Sequence, residues 1–216
     1  DKAQAYIPDI IISDIMMPEL DGLSLTKILK DDVRTSHIPV ILLTAKDTIQ
    51  DRTEGYAVGA ESYITKPFSA SLLRSRILNL LESRQKIAQQ LQNDVEDKAG
   101  LMIKSLNNLD KEFIKKVSSI IEKNIDSESL DVNLIADRMF MSHSTLYRKI
   151  KALTEMSINE FIRKTRIKKA EQLLLTGKYT VSEISFMVGM NSITYFRQCF
   201  KEEFGLTPSD YIKHIK

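Results

Sequence analysis

Apolar runs and amphipathic stretches alternate along the first third of the chain. Residues 10–12 precede 23–29, residues 40–43 precede 48–59, and residues 63–64 precede 69–81. Short strands followed by helix-period segments predict a parallel sheet with helices on both faces, an α/β domain over residues 1–84. From residue 83 to 109 the chain turns polar and Gln-rich, with apolar positions at Ile87, Leu91 and Val95, so the last helix is expected to continue and fray into a linker near Gly100. Residues 85–110 read as a helical linker. Beyond Asp110 the strand signal vanishes. Asp131, Ser142, Ser157, Thr180 and Asn191 stand where helices require N-caps, so residues 111–216 read as all-α.

The helical half repeats itself once. Val132, Ile135, Met139 and Met141 return 49 residues later as Val181, Ile184, Val188 and Met190. One inserted residue then makes the offset 50, and Leu146, Arg148, Ile150, Lys151, Phe161 and Ile162 return as Phe196, Gln198, Phe200, Lys201, Tyr211 and Ile212. Two copies at this spacing are a duplicated motif rather than a solenoid. Each copy gives a short helix, a polar turn and a second helix, over about 132–152 and 181–203. A second helix that enters a DNA groove must turn polar groups outward over an apolar stripe. Leu146 and Ile150 form that stripe in the first copy, leaving Ser144, Thr145, Tyr147 and Arg148 outside. Phe196 and Phe200 form it in the second, leaving Ser192, Thr194, Arg197 and Gln198. Tyr147 and Tyr195 suit packing with a hydroxyl toward phosphate better than base reading. Met139, Met141, Met187 and Met190 read as packing residues, His143 as a turn residue, and residues 158–176 as a basic rod joining the copies, buried through Ile162, Ile167, Ala170, Leu173 and Leu174.

Charge sharpens this division. Residues 1–84 carry 10 Lys and Arg against 12 Asp and Glu, whereas residues 111–216 carry 18 against 13. A net excess of five positive charges on the repeated half suits contact with phosphate backbones. The single Cys199 forms no intramolecular disulfide and has no Cys or His companions at zinc spacing, so it reads as a small apolar packing residue. No apolar run approaches the roughly 18 residues of a membrane span, and the chain opens on no signal-peptide pattern; a reducing, cytoplasmic setting is expected.

The N-terminal chemistry lies at strand ends. An aspartate such as Asp14 commonly just caps the following turn. Here Thr44 closes the second apolar run and Lys66 the third. Three successive strands thus deliver a carboxylate, a hydroxyl and an ammonium to one edge of the sheet, where ligand sites of parallel α/β folds gather. The trio suits phosphoryl transfer, with Asp14 as nucleophile, Lys66 offsetting charge and Thr44 bonding a phosphoryl oxygen.

Pro8-Asp-Ile-Ile-Ile-Ser-Asp-Ile-Met-Met-Pro-Glu-Leu-Asp-Gly22, with Leu42-Leu-Thr-Ala45 and Tyr63-Ile-Thr-Lys-Pro-Phe68, closely resembles a response-regulator receiver domain, a flavodoxin-like fold. The resemblance implies that Asp14 accepts a phosphoryl group from a histidine kinase, that Thr44 and Tyr63 shift as a switch pair, and that Lys66-Pro67 is cis. It also implies Mg²⁺, held by Asp14, the Met16 carbonyl and an acidic pair on an earlier strand. That strand is not in this sequence, so the receiver is expected to be partial, with an exposed sheet edge that invites dimerisation or disorder, and no cofactor is expected in this chain.

The helical half resembles the AraC/XylS transcription regulators through Leu134-Ile-Ala-Asp137, Ser142, Leu146-Tyr-Arg-Lys-Ile-Lys151, Arg166 with Ala170, Leu173 and Leu174, and the segment from Ile184 through Gly189 to Tyr195-Phe-Arg-Gln-Cys-Phe-Lys201, Phe204-Gly205 and Pro208. This implies two helix-turn-helix units in successive major grooves, about 34 Å apart. By position Ser144, Tyr147 and Arg148, then Ile193, Thr194 and Gln198, match the family's base-facing residues. Ile193 departs from the polar residue common there and suits a thymine methyl. The combination resembles the output end of two-component systems, including hybrid sensors in which a membrane kinase and its regulator share one chain. It implies double-stranded DNA, a histidine kinase phosphodonor, a homodimer and RNA polymerase as partners, and no enzyme activity in this chain. An aspartate-nucleophile phosphohydrolase would need a second acid-base group beside Asp14, and a non-specific architectural DNA binder leaves the receiver motifs unexplained. Because the earlier acidic pair is missing from the sequence, acetyl phosphate with Mg²⁺ is expected to give no stable labelling of Asp14 in this chain, measured by intact mass; stoichiometric labelling would refute the expectation.

Overall fold

The computed structural model describes residues 2–45, 55–93, 106–127 and 129–215. Two compact units result. The first gathers the described parts of Asp1–Asn93, Gly100–Phe113 and Lys151–Glu155, and the second those of Ile114–Ile150 and Met156–Lys216.

The first unit is built on three parallel strands, β1 (Ile11–Asp14), β2 (Val40–Thr44) and β3 (Ser62–Thr65), in the order β1-β2-β3. The central β2 reads Val-Ile-Leu-Leu-Thr because it is covered on both faces, and Val40, Ile41 and Leu42 are fully buried. β1 is an edge strand whose Ile12 is exposed. A five-residue helix, α1 (Lys2–Tyr6), precedes it, unforeseen from the hydrophobic pattern. Helix α2 (Gly22–Asp31) begins at Asp21, whose carboxylate accepts from the Ser24 N–H at 2.8 Å, and Leu29 joins Val40, Leu42 and Ala60 in the core. The expected helix over 48–59 falls mostly outside the described residues; residues 55–57 are helical. Helix α3 (Ala70–Asn93) runs unbroken through the boundary drawn at residue 84. The fraying expected near Gly100 lies outside the described residues.

A partly buried ionic cluster ties this unit together. The Lys30 ammonium donates to Ile38 O and to Glu61 Oε1, each at 2.7 Å, while Glu61 Oε2 accepts from the Val40 N–H at 2.8 Å and Arg84 lies 3.3 Å from Oε1. Burial pushes the Lys30 pKa below its ordinary value, and the neighbouring Glu61 charge opposes that.

The second unit is helical, with α4 (Asn108–Lys123), α5 (Val132–Met139), α6 (His143–Thr154), α7 (Ile158–Leu175), α8 (Val181–Met187), α9 (Ile193–Phe204) and α10 (Pro208–Ile215). Ser157 and Glu160 cap α7 reciprocally, and Thr180 and Glu183 do the same for α8. The cap of α9 is Ser192, not Asn191 as the sequence suggested: the Tyr195 N–H donates to Ser192 Oγ. The inserted residue moves the cap by one, so that Ser192 answers Ser142 at offset 50. Helices α8 and α9 bury Ile184, Phe196, Cys199 and Phe200 against Ile167, Ala170 and Leu174 of α7, and Tyr211 of α10 stacks edge-on to Phe200. Of the four methionines assigned to packing, Met190 is buried, Met139 and Met141 are half-buried, and Met187 is exposed because it occupies the outer face of α8.

The two helix-turn-helix turns differ where the repeat aligns Phe140 with Gly189. Both take the left-handed backbone, at φ 53° and 69°. A Cβ at Gly189 would meet Ile125 O at 2.5 Å and the Arg166 guanidinium at 2.8 Å, so only glycine fits. Phe140 pays for the same conformation with steric strain, and its ring is 95% exposed. Phe140→Gly is therefore expected to stabilise the second unit by roughly 0.5–1 kcal/mol, strain relief exceeding the added freedom of the unfolded chain, and Gly189→Ala to destabilise it by more than about 1 kcal/mol. Denaturant unfolding of the two variants checks both signs.

Candidate functional site

Asp14, Thr44 and Lys66 come together as the strand ends require. Parallel register pairs Asp14 with Leu43 and Thr44 with Thr65, so residues 14, 44 and 66 leave the sheet at one edge. The Lys66 N–H donates to Thr44 O at 2.6 Å, and the Lys66 ammonium sits 2.5 Å from Asp14 Oδ1. Both side chains of this pair are about two-fifths exposed, so solvent screens the attraction and leaves the carboxylate reachable. Thr44 is buried, and the Tyr63 hydroxyl is enclosed with no hydrogen-bond partner among the described residues. Gly22 closes the site from behind: a Cβ there would lie 2.3 Å from Asp14 O. Lys66-Pro67 is cis. Met16 is exposed next to Asp14. Among the described residues no three His, Cys, Asp or Glu side chains converge. One carboxylate already bound to an ammonium does not fit Mg²⁺, a cation that demands oxygen donors in octahedral array.

In the second unit the division of faces follows the apolar stripe. Leu146 and Ile150 of α6 are fully buried, whereas Ser144, Tyr147 and Arg148 are exposed and Thr145 is half-buried. Phe196 and Phe200 of α9 are fully buried; Ser192, Thr194, Arg197 and Gln198 are exposed and Ile193 is half-buried. Lys149 lies inside α6 with no exposed surface, a placement the sequence pattern gave no reason to expect. Ser142 Oγ accepts from the Thr145 N–H, which holds the entry of α6.

Helix α7 fixes α9 from behind. Lys164 forms a 2.9 Å ion pair with Glu203, and the Tyr211 hydroxyl of α10 bonds Glu171. A hydrogen bond with Tyr195 is the main reason the Arg163 guanidinium is held above its ordinary pKa. Arg166 donates to Ser127 O at 2.7 Å beneath the Gly189 turn. The basic run of α7 is thus in good part structural. Gln198 Nε2 donates to Glu202 Oε1 at 3.0 Å. The sequence reading passed over Glu202, although its spacing of four from Gln198 was the available signal.

Residues 1–78 match the model of the response regulator receiver domain, and residues 135–214 match that of the helix-turn-helix domain. The probable transcriptional regulator ycf29 of Pyropia yezoensis is 33% identical over 174 residues, 73% of this chain and 76% of that protein. The chain belongs to the response-regulator family. Its receiver is joined to an AraC-type helix-turn-helix domain. Histidine kinase P4 of Formosa agariphila is 40% identical over 209 residues, 97% of this chain but 15% of that protein. Response regulator Rre1 of Synechocystis is 39% identical over 85 residues, 39% of this chain and 37% of that protein, so the chain spans a minor part of the first relatives it matches. Among solved structures, the C-terminal domain of AraT, a response regulator from Geobacillus stearothermophilus, aligns at 28% identity over 47% of this chain and 84% of that one, with a TM-score of 0.44. No described helix of this response regulator is long and apolar enough to cross a membrane.

Cap carboxylates give a pH signature. Asp131, bonded chiefly by the Leu134 N–H, and Glu183, bonded chiefly by the Thr180 N–H, are both held below their ordinary pKa. A depressed carboxyl contributes stability that is complete above the unfolded value, about 4, and is lost as pH falls through the folded value. The thermal midpoint is expected to fall between pH 6 and pH 3, and to fall less in a variant carrying Asp131→Asn and Glu183→Gln, which keeps both caps but removes the titration. Parallel curves for the two proteins would contradict this.

Proposed function

We propose that this chain is the phosphorylation-controlled, sequence-specific DNA-binding output of a two-component system. The observation that carries the reading is the recurrence, on α6 and α9, of one design: a fully buried apolar stripe beneath an exposed row of polar side chains. In the proposed readout, Arg148 and Gln198 address purine edges, Ser144, Thr145, Ser192, Thr194 and Arg197 address bases and phosphates around them, Tyr147 offers its hydroxyl to the backbone, and Ile193 meets a thymine methyl.

Control is assigned to the strand-end trio. In a parent protein that also carries the earlier acidic strand, an Asp14 carboxylate oxygen attacks the phosphorus of a kinase phosphohistidine, the N–P bond breaks and the imidazole leaves. Lys66 offsets the charge gained, Thr44 donates to a phosphoryl oxygen, and the enclosed Tyr63 hydroxyl moves with it. A homodimer formed through the receiver or α3 would then raise the effective concentration of the weakly held DNA modules, and a bound dimer would meet RNA polymerase. The match to a histidine kinase over nearly the whole of this chain supports a hybrid parent that carries its own phosphodonor.

Selection from a random duplex pool at physiological salt tests the reading. A bipartite motif with centres about one helical turn apart is expected. Salt-sensitive binding with no enriched sequence would overturn it. Arg148→Ala is expected to cost roughly 1–3 kcal/mol on the selected operator and to relax one half-site. An equal loss on random DNA would make Arg148 a phosphate contact instead.

A further inference from the structure

The exposed face of α9 carries a carboxylate beside the glutamine that faces DNA. Residues four apart share one side of a helix, and Gln198 Nε2 spans that gap to Glu202 Oε1 at 3.0 Å. Phosphates repel a carboxylate on such a surface, so Glu202 costs affinity for every DNA sequence alike. What it provides in exchange is stereochemical.

A carboxylate only accepts hydrogen bonds, so the amide atom beside it is Nε2; a flipped amide would set Oε1 against Glu202. With one N–H engaged, Gln198 has one N–H and one carbonyl oxygen left to offer. In the major groove adenine presents an N7 acceptor and an N6 donor, whereas guanine presents two acceptors, N7 and O6. One donor and one acceptor complement adenine; guanine would require both N–H groups. Arg163 lies close enough for the Glu202 charge to act on its guanidinium, and the two residues line one polar groove with Lys164 and Glu203.

We propose that Glu202 is a positioning residue that locks the Gln198 amide in the orientation that accepts adenine and refuses guanine. The proposal rests on Gln198 facing a base, as assigned above.

Random-pool selection with the full chain and with Gln198→Ala locates the base pair concerned, as the position where the variant loses its preference. Duplexes carrying A·T or G·C at that position are then titrated with wild type, Glu202→Ala and Glu202→Gln at fixed salt. Wild type is expected to favour adenine by on the order of tenfold. Glu202→Ala is expected to bind random DNA more tightly and to bring the adenine-to-guanine ratio down to about one to three, with an unchanged thermal midpoint. Glu202→Gln, whose own amide can accept or donate, is expected to fall between. If Glu202→Ala weakens both duplexes equally and keeps the ratio while Gln198→Ala abolishes it, Glu202 is merely structural and the proposal fails with the Gln198 assignment intact. If Gln198→Ala selects the wild-type motif, that assignment fails and the proposal with it.

Discussion

The apolar seam that α8, α9 and α10 bury against α7 is the constraint on which the DNA-facing half depends. Helices of 7, 12 and 8 residues are too short to hold their shape alone in water. Phe196, Phe200 and Ile184 become a core only because Ile167, Ala170 and Leu174 supply the opposite wall. Once Phe196 and Phe200 point inward, helix geometry leaves Thr194, Arg197, Gln198 and Glu202 on the outside, so the exposed polar face is the complement of the seam. The polar ties add direction: Lys164 to Glu203 and Tyr211 to Glu171 fix how α9 and α10 lie on α7.

The strand-end trio was legible because parallel register carries aligned apolar runs to a common edge, and Asp14, Thr44 and Lys66 each close such a run. The faces of α6 and α9 were legible because the same i, i+4 stripe occurs twice. What escaped was set by contacts that periodicity does not encode. The Lys30, Glu61 and Arg84 cluster joins residues 23 to 54 positions apart, and no pattern in any one segment announces the others. Helix α1 is a single turn with no buried residue, too short to leave an amphipathic trace.

The α9 cap and Met187 depart from the sequence pattern for two reasons: the insertion in the repeat shifts the cap by one residue, and helix phase overrides the apolar character of Met187. Ser142 plus 50 gives Ser192, and the phase of α8 puts Met187 outside. Phe140 is the converse. Its alignment with Gly189 was visible in the sequence, but the cost could be seen only once the turn was known to be left-handed and the ring to have nothing against it.

The balance of charge bears on how such a protein discriminates. Specificity is a difference between two affinities and is gained by penalising the wrong partner as well as by favouring the right one. The second unit is basic overall, yet the outer face of α9 holds Glu202 next to Gln198, and the basic run of α7 spends Arg163, Lys164 and Arg166 on Tyr195, Glu203 and Ser127. Cations turned inward fasten the frame and leave less charge for indiscriminate phosphate binding.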